Sequence, residues 1–209
     1  YEAKASTELR KSKRAEAALD RAALLAPNDF RTDLQRAELR ERQADLPGAI
    51  DALTKARTKN PKELQLAFRL GYLESQAGRL EDAEGTLKEA LNRKFEPSAA
   101  AELAFVKFRQ EQPAEALKLL KSALSKDRSL AKGYYYLGAV LYRQGDAPGA
   151  EKAYRDADRL SPEDPRALAS LCQMQAQRKD TAGAEETKKQ LKTRFADAGS
   201  KLAEQCKAE

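Results

Sequence analysis

The chain has 209 residues, 34% of them charged and 41% hydrophobic, with a net charge of +6 and neither histidine nor tryptophan. Without histidine there is no His-activated nucleophile, no His general base and little means of holding zinc. The longest uncharged stretch, Gly133–Tyr142, is about half of what a bilayer span needs, and nothing resembles a signal peptide, so these residues read as a soluble, helix-favouring chain.

Taken in order, the chain repeats. A small residue opening an apolar helix face recurs at Ala15, Ala49, Ala83, Ala116, Ala150 and Ala184, with spacings of 34, 34, 33, 34 and 34. Seven residues later stand Ala22, Ala56, Ala90, Ala123 and Ala157, and then Leu191 in the sixth case. Between them lie Leu19, Leu53, Leu87, Leu120 and Tyr154, with Lys188 breaking the series. This spacing predicts six helix-turn-helix units. The first, over residues 1–29, is incomplete, because Tyr1 falls at the sixth position of its repeat. The others run over 30–63, 64–96, 97–130, 131–164 and 165–198. A short polar helix over Ser200–Lys207 closes the chain as a cap over 199–209. The unit 131–164 is the most regular. Leu137-Gly138 lie midway along its first helix, Asp146 is placed to cap the second, and Pro148 falls in that helix's first turn.

A large–Leu–Gly signature followed by Ala, an aromatic, Ala and Pro, in phase from end to end, resembles the tetratricopeptide (TPR) repeat. The resemblance implies an all-α, right-handed TPR superhelix, an α-solenoid of six repeats plus a C-terminal capping helix. It also implies a surface that binds other protein chains rather than a catalytic centre. The residues agree: there is no glycine-rich phosphate loop, no H-E-x-x-H and no G-x-S-x-G. The acid pairs Glu81-Asp82 and Glu185-Glu186 sit at helix starts, where the helix dipole favours them. No catalytic residue, metal or cofactor is expected.

In the TPR family the binding surface is lined by fixed positions of each repeat's first helix. Carried onto this sequence, those positions place Leu34, Arg42, Phe68, Tyr72, Phe105, Phe108, Arg109, Tyr135, Tyr142 and Arg143 in a concave groove. Six of the chain's thirteen Phe and Tyr fall in that set. Aromatics with Arg are common binding anchors, and the pattern suits an amphipathic peptide segment. The alternative is that these rings bury against neighbouring repeats. The family's clamp for chain-end carboxylates needs Asn on the first helices, whereas Asn28, Asn60 and Asn92 all lie outside them, which argues against a chaperone-tail receptor.

Cys172 and Cys206 are the only cysteines and stand one repeat apart. An even pair at the weak end of an array suggests a disulfide and an oxidising compartment. The alternative is two free thiols packed as small apolar residues. The repeat position of Cys172 points at its own second helix, so a bond to Cys206 requires the last helix to depart from ideal repeat geometry. A basic six-repeat chain with such a pair in its last repeat and cap resembles the pilotin lipoproteins of type IV pili. That resemblance implies a monomer at the periplasmic face of the outer membrane, held there by an N-terminal lipid outside this sequence. It also implies a secretin subunit as partner. A periplasmic adaptor for a cell-wall enzyme or another outer-membrane assembly machine is the alternative. The positive charge is spread along the chain rather than gathered in the groove, so no nucleic acid partner is expected.

Overall fold

The computed structural model describes residues 2–207, and for residues 2–11 the backbone alone. Eleven α-helices and no strand occur among the described residues. A first helix, α1 (Glu2–Leu25), precedes five pairs. These are α2 (Phe30–Arg42) with α3 (Leu46–Lys59), α4 (Leu64–Gln76) with α5 (Leu80–Arg93), α6 (Pro97–Arg109) with α7 (Pro113–Lys126), α8 (Ala131–Arg143) with α9 (Ala147–Leu160), and α10 (Arg166–Gln177) with α11 (Thr181–Gln205). No helix among the described residues is long and apolar enough to cross a membrane.

Each pair is joined by the same backbone turn. Its middle residue is left-handed: Ala44 (φ 57°), Gly78 (77°), Glu111 (61°), Gly145 (85°) and Lys179 (61°). That residue's amide donates to the carbonyl three positions back, at 3.0–3.1 Å, as from Ala44 to Glu41 and from Gly78 to Ser75. The next amide donates five positions back: Asp45 to Arg40, Arg79 to Glu74, Gln112 to Lys107, Asp146 to Leu141 and Asp180 to Gln175, at 2.9–3.0 Å. This is a Schellman ending, and the second donor is also the N-cap residue of the following helix. Asp45, Asp146 and Asp180 serve that cap fully, their carboxylates accepting from the amides of Gly48, Gly149 and Gly183.

Within a pair, small residues let the helices close together. A β-carbon added at Gly71 would lie 2.5 Å from Leu87, and one at Gly138 would lie 2.7 Å from Tyr154. Ala37 and Ala104 hold the same repeat position and are fully buried. By packing, the chain forms two units, residues 1–95 and 96–209. The core of the first gathers Ala37, Leu53, Leu66, Leu70 and Leu73 from α2, α3 and α4. The core of the second includes Tyr154, Leu168, Leu171, Met174 and Leu191, together with Cys172 and Cys206. Burying a leucine as fully as Leu53 contributes about 1.5–3 kcal/mol.

The two ends differ from the expected repeats. Where the spacing predicts the tail of a first helix, a turn and a second helix, α1 is one unbroken helix. The turn positions there are Arg10 and Lys11, good helix formers with no capping oxygen. At the other end the cap is joined to the preceding helix, with a single break at Ala196 (φ 47°, ψ −124°) inside α11. The helix then ends at Gln205, one residue before Cys206. This break and the position of Cys206 beyond the helix end supply the departure from repeat geometry that the bond needs. Cys172 and Cys206 form a disulfide with Cα atoms 5.7 Å apart, both side chains buried. Lys188, at the position of Leu87 and Tyr154, turns its ammonium to Glu185 at 2.8 Å.

Two predictions follow from the turns and the bond. Glu111→Gly and Lys179→Gly should each stabilise the fold by about 0.5–1 kcal/mol, because glycine adopts the left-handed conformation without the β-carbon penalty. Urea denaturation should show the midpoint rising for each variant, and an unchanged midpoint would contradict the strain. Separately, the bond closes a 34-residue span, worth about 4 kcal/mol in the chain-entropy account. Reduction should therefore lower amide hydrogen-exchange protection in α10 and α11 first, while α8 and α9 stay protected.

Candidate functional site

The candidate residues fall into two sets, one in each unit. In the first unit Leu34 is half-buried against the core of α2–α4. Phe68 is half-buried, Tyr72 is at the surface, and Arg42 is exposed on the wall of a cleft between α1 and α2.

The second set is built on α6 and α8. Phe105 of α6 stacks on Tyr136 of α8, with ring centroids 4.5 Å apart and planes 9° from parallel. Arg109, one turn beyond Phe105, places its guanidinium 5.9 Å above the same ring. Tyr136 is only 4% exposed. Its hydroxyl donates to Glu102 Oε2 at 3.1 Å, and Lys132 Nζ donates to the same oxygen at 3.3 Å. Glu102, 3% exposed, is thus a buried carboxylate tied from α6 to α8 by one phenol and one ammonium.

Tyr135, beside Tyr136, is half-buried, with its centroid 6.0 Å from that of Tyr154 and with the Arg166 guanidinium 5.5 Å from its ring. Arg166 is fixed by a two-pronged ion pair to Asp164. That pair, through its hydrogen bonds, holds the Asp164 carboxyl below its ordinary range and the guanidinium more firmly protonated. Burial pushes the Tyr154 hydroxyl up, and the neighbouring Tyr135 adds to the shift. Lys132, Tyr135, Asp164 and Arg166 line a pocket of about 240 Å³. Further along α8, Tyr142 is half-buried and its hydroxyl donates to Gln177 Oε1 at 2.6 Å. Phe108 is half-buried, and Arg109 and Arg143 are exposed.

The structure therefore brings Phe105 and Arg109 together, and sets Tyr135 under Arg166. Each of these rings gives part of its surface to a neighbouring helix and keeps part of it accessible. Tyr136 and Glu102 were absent from the candidate set. A signal for them exists in the sequence: Tyr136 stands 34 residues after Glu102, at the same repeat position. Chemically the arrangement offers flat apolar faces edged by guanidinium groups, which suits a peptide segment with apolar and acidic side chains.

A family model described as Tetratricopeptide repeat matches residues 34–101 and 102–165. Cellulose synthase operon protein C of Pseudomonas fluorescens (strain SBW25) is 30% identical over 135 residues. That alignment takes in 60% of this chain but 11% of the relative, so the chain spans about a tenth of that protein's length. Among solved structures, PilW, described as a widely conserved type IV pilus biogenesis factor, superposes with a TM-score of 0.77 at 17% identity. The match covers 95% of this chain and 92% of PilW. The Pseudomonas aeruginosa pilF structure gives a TM-score of 0.71 at 17% identity, covering 95% and 90%. At that identity the likenesses show the fold.

The buried contact yields a stability prediction. Tyr136→Phe keeps the stack on Phe105 but removes a donor to Glu102, and should cost about 1–3 kcal/mol of folding free energy. Chemical denaturation measures it, and a cost near zero would mean that the hydroxyl carries nothing.

Proposed function

We infer the function of this chain from the family it belongs to, the tetratricopeptide repeat family. Arrays of this family serve as scaffolds that bind other protein chains, and this one acts as a non-catalytic protein-binding scaffold. The observation that carries the reading is the pair of part-exposed rings on α6 and α8 edged by guanidinium groups of α6 and α10, with Phe105 beside Arg109 and Tyr135 under Arg166. The finer reading is a pilotin-like factor that grips an amphipathic segment of a type IV pilus secretin subunit and assists its assembly at the outer membrane. Three things support it: the fold shared with PilW and pilF, the resemblance of the sequence to the pilotin Tgl, and a disulfide suited to an oxidising compartment. Anchoring by an N-terminal lipid at the periplasmic face belongs to the same proposal.

A second reading has its own support. The 30% identity to Cellulose synthase operon protein C favours a scaffold serving a different assembly, such as one that makes cellulose.

The test is a pull-down with purified secretin subunits, paired with the secretin's multimeric state in a strain lacking this protein. The expected results are capture of the subunit and loss of multimers. The triple variant Phe105→Ala, Phe108→Ala, Tyr142→Ala should bind more weakly by about 2 kcal/mol or more while keeping its helical circular dichroism. Intact multimers in the deletion strain, together with no capture, would falsify the secretin reading; capture of cellulose-synthesis components instead would favour the second.

A further inference from the structure

The eleventh position of the second to sixth repeats carries Arg40, Glu74, Lys107, Leu141 and Gln175 in turn. Two of the three charged occupants meet an opposite charge. Arg40 pairs with Glu16 at 2.9 Å, and Lys107 with Glu115 at 3.5 Å and with Gln112 Oε1 at 2.7 Å. Glu74 does not. It is 7% exposed on α4, forms no ion pair among the described residues, and has one carboxylate oxygen buried without a hydrogen-bond partner. An ionised carboxylate in that setting is costly, and its ordinary relief is to keep the proton.

The sixth repeat shows a neutral form of the same contact. Gln175 and Thr187, both buried, hold the positions of Glu74 and Thr86. The Thr187 hydroxyl donates to Gln175 Oε1 at 2.8 Å and so ties α10 to α11. A protonated glutamate is close to that glutamine in shape, is uncharged like it, and has both a donor and an acceptor to offer Thr86. The surroundings of Glu74 favour the protonated form. Burial strengthens its hold on the proton most, and Asp82 of α5 adds to the effect. Against it stand the Thr86 side chain, Arg57 of α3 and Arg79 at the start of α5. Arg57 is drawn to Glu89 at 2.6 Å. Glu38 and Glu41 of α2 meet α4 at Arg69, not at Glu74.

We propose that Glu74 keeps its proton in the folded chain and that α4 and α5 form a proton-linked joint, tight while this carboxyl is neutral and loosened when it ionises. The unfolded chain gives up this proton in the ordinary glutamate range and the folded chain only at higher pH. The joint is therefore at full strength below that range and weakens as pH rises through it towards the folded value. Asp29 and Asp164, which hydrogen bonds from Arg31 and Arg166 hold below the ordinary range, act in the opposite sense, so the joint is read as a difference between variants. Because α4 also carries Phe68 and Tyr72, the joint bears on how firmly the first unit's candidate rings are held. It does not depend on the secretin reading, and either can fail without the other.

The test compares the whole chain with Glu74→Gln by urea denaturation between pH 4 and pH 8. The variant's midpoint should gain on the parent's as pH rises, with the extra amide hydrogen-exchange protection at pH 8 falling in α4 and α5. Carboxyl-carbon NMR of the parent gives a direct reading, the Glu74 signal being the one missing from the variant. That signal should titrate above the usual glutamate value of about 4.3. A midpoint difference that is constant or shrinks as pH rises overturns the proposal. So does a Glu74 signal that titrates at or below the usual value, or added protection that falls outside α4 and α5.

Discussion

One backbone hydrogen bond, repeated five times, sets the geometry on which the rest depends. It runs from the amide that opens each second helix to the carbonyl five residues before it, at 2.9–3.0 Å. The bond ends one helix and begins the next in the same residue, so the two axes are related by a fixed turn rather than by a loop of variable length. The cost is a left-handed residue in every turn. Glycine meets that cost in only two of the five, and Ala44, Glu111 and Lys179 adopt the conformation because the surrounding bonds require it.

Given that turn, one repeat position decides how closely the paired helices can lie. Ala37, Gly71, Ala104 and Gly138 keep it small, and a leucine or tyrosine from the second helix fills the space opposite. In the sixth repeat the position is Cys172 and the filling residue has become Lys188, whose ammonium reaches outward to Glu185. There Cys172 is buried and bonded to Cys206, with its sulfur 3.6 Å from the Ala184 carbonyl of α11.

Phase made the middle of the fold legible. The repeat spacing put first-helix starts at Phe30, Leu64, Pro97 and Ala131, and these are the first residues of α2, α4, α6 and α8. The ends were less legible because their departures are conformational. Ala196 is a good helix former that gives no sign of a break, and the continuity of α1 depends on the absence of a turn rather than on the presence of a motif. The candidate site was legible only as positions. The identity of Phe105 and Tyr135 announced an aromatic surface, but not that Phe105 would stack on Tyr136 or that Arg166 would cover Tyr135. Glu102 was hidden for a different reason: a lone carboxylate on a helix reads as solvated until its burial beside Lys132 and Tyr136 is seen.

The disulfide has a kinetic side. It joins residues 34 apart, and the noncovalent ties between neighbouring repeats have almost the same reach: 32 residues for Arg57 to Glu89, 34 for Tyr136 to Glu102 and 36 for Arg194 to Asp158. Oxidation therefore asks the chain to close no loop longer than those the helices already close in forming. Contacts this local favour rapid folding, since little chain entropy is lost before contacts repay it. With two cysteines only, there is a single intramolecular pairing to find. The last repeat can thus fold and be locked as one local event, without a reshuffling stage and without waiting for any distant part of the molecule.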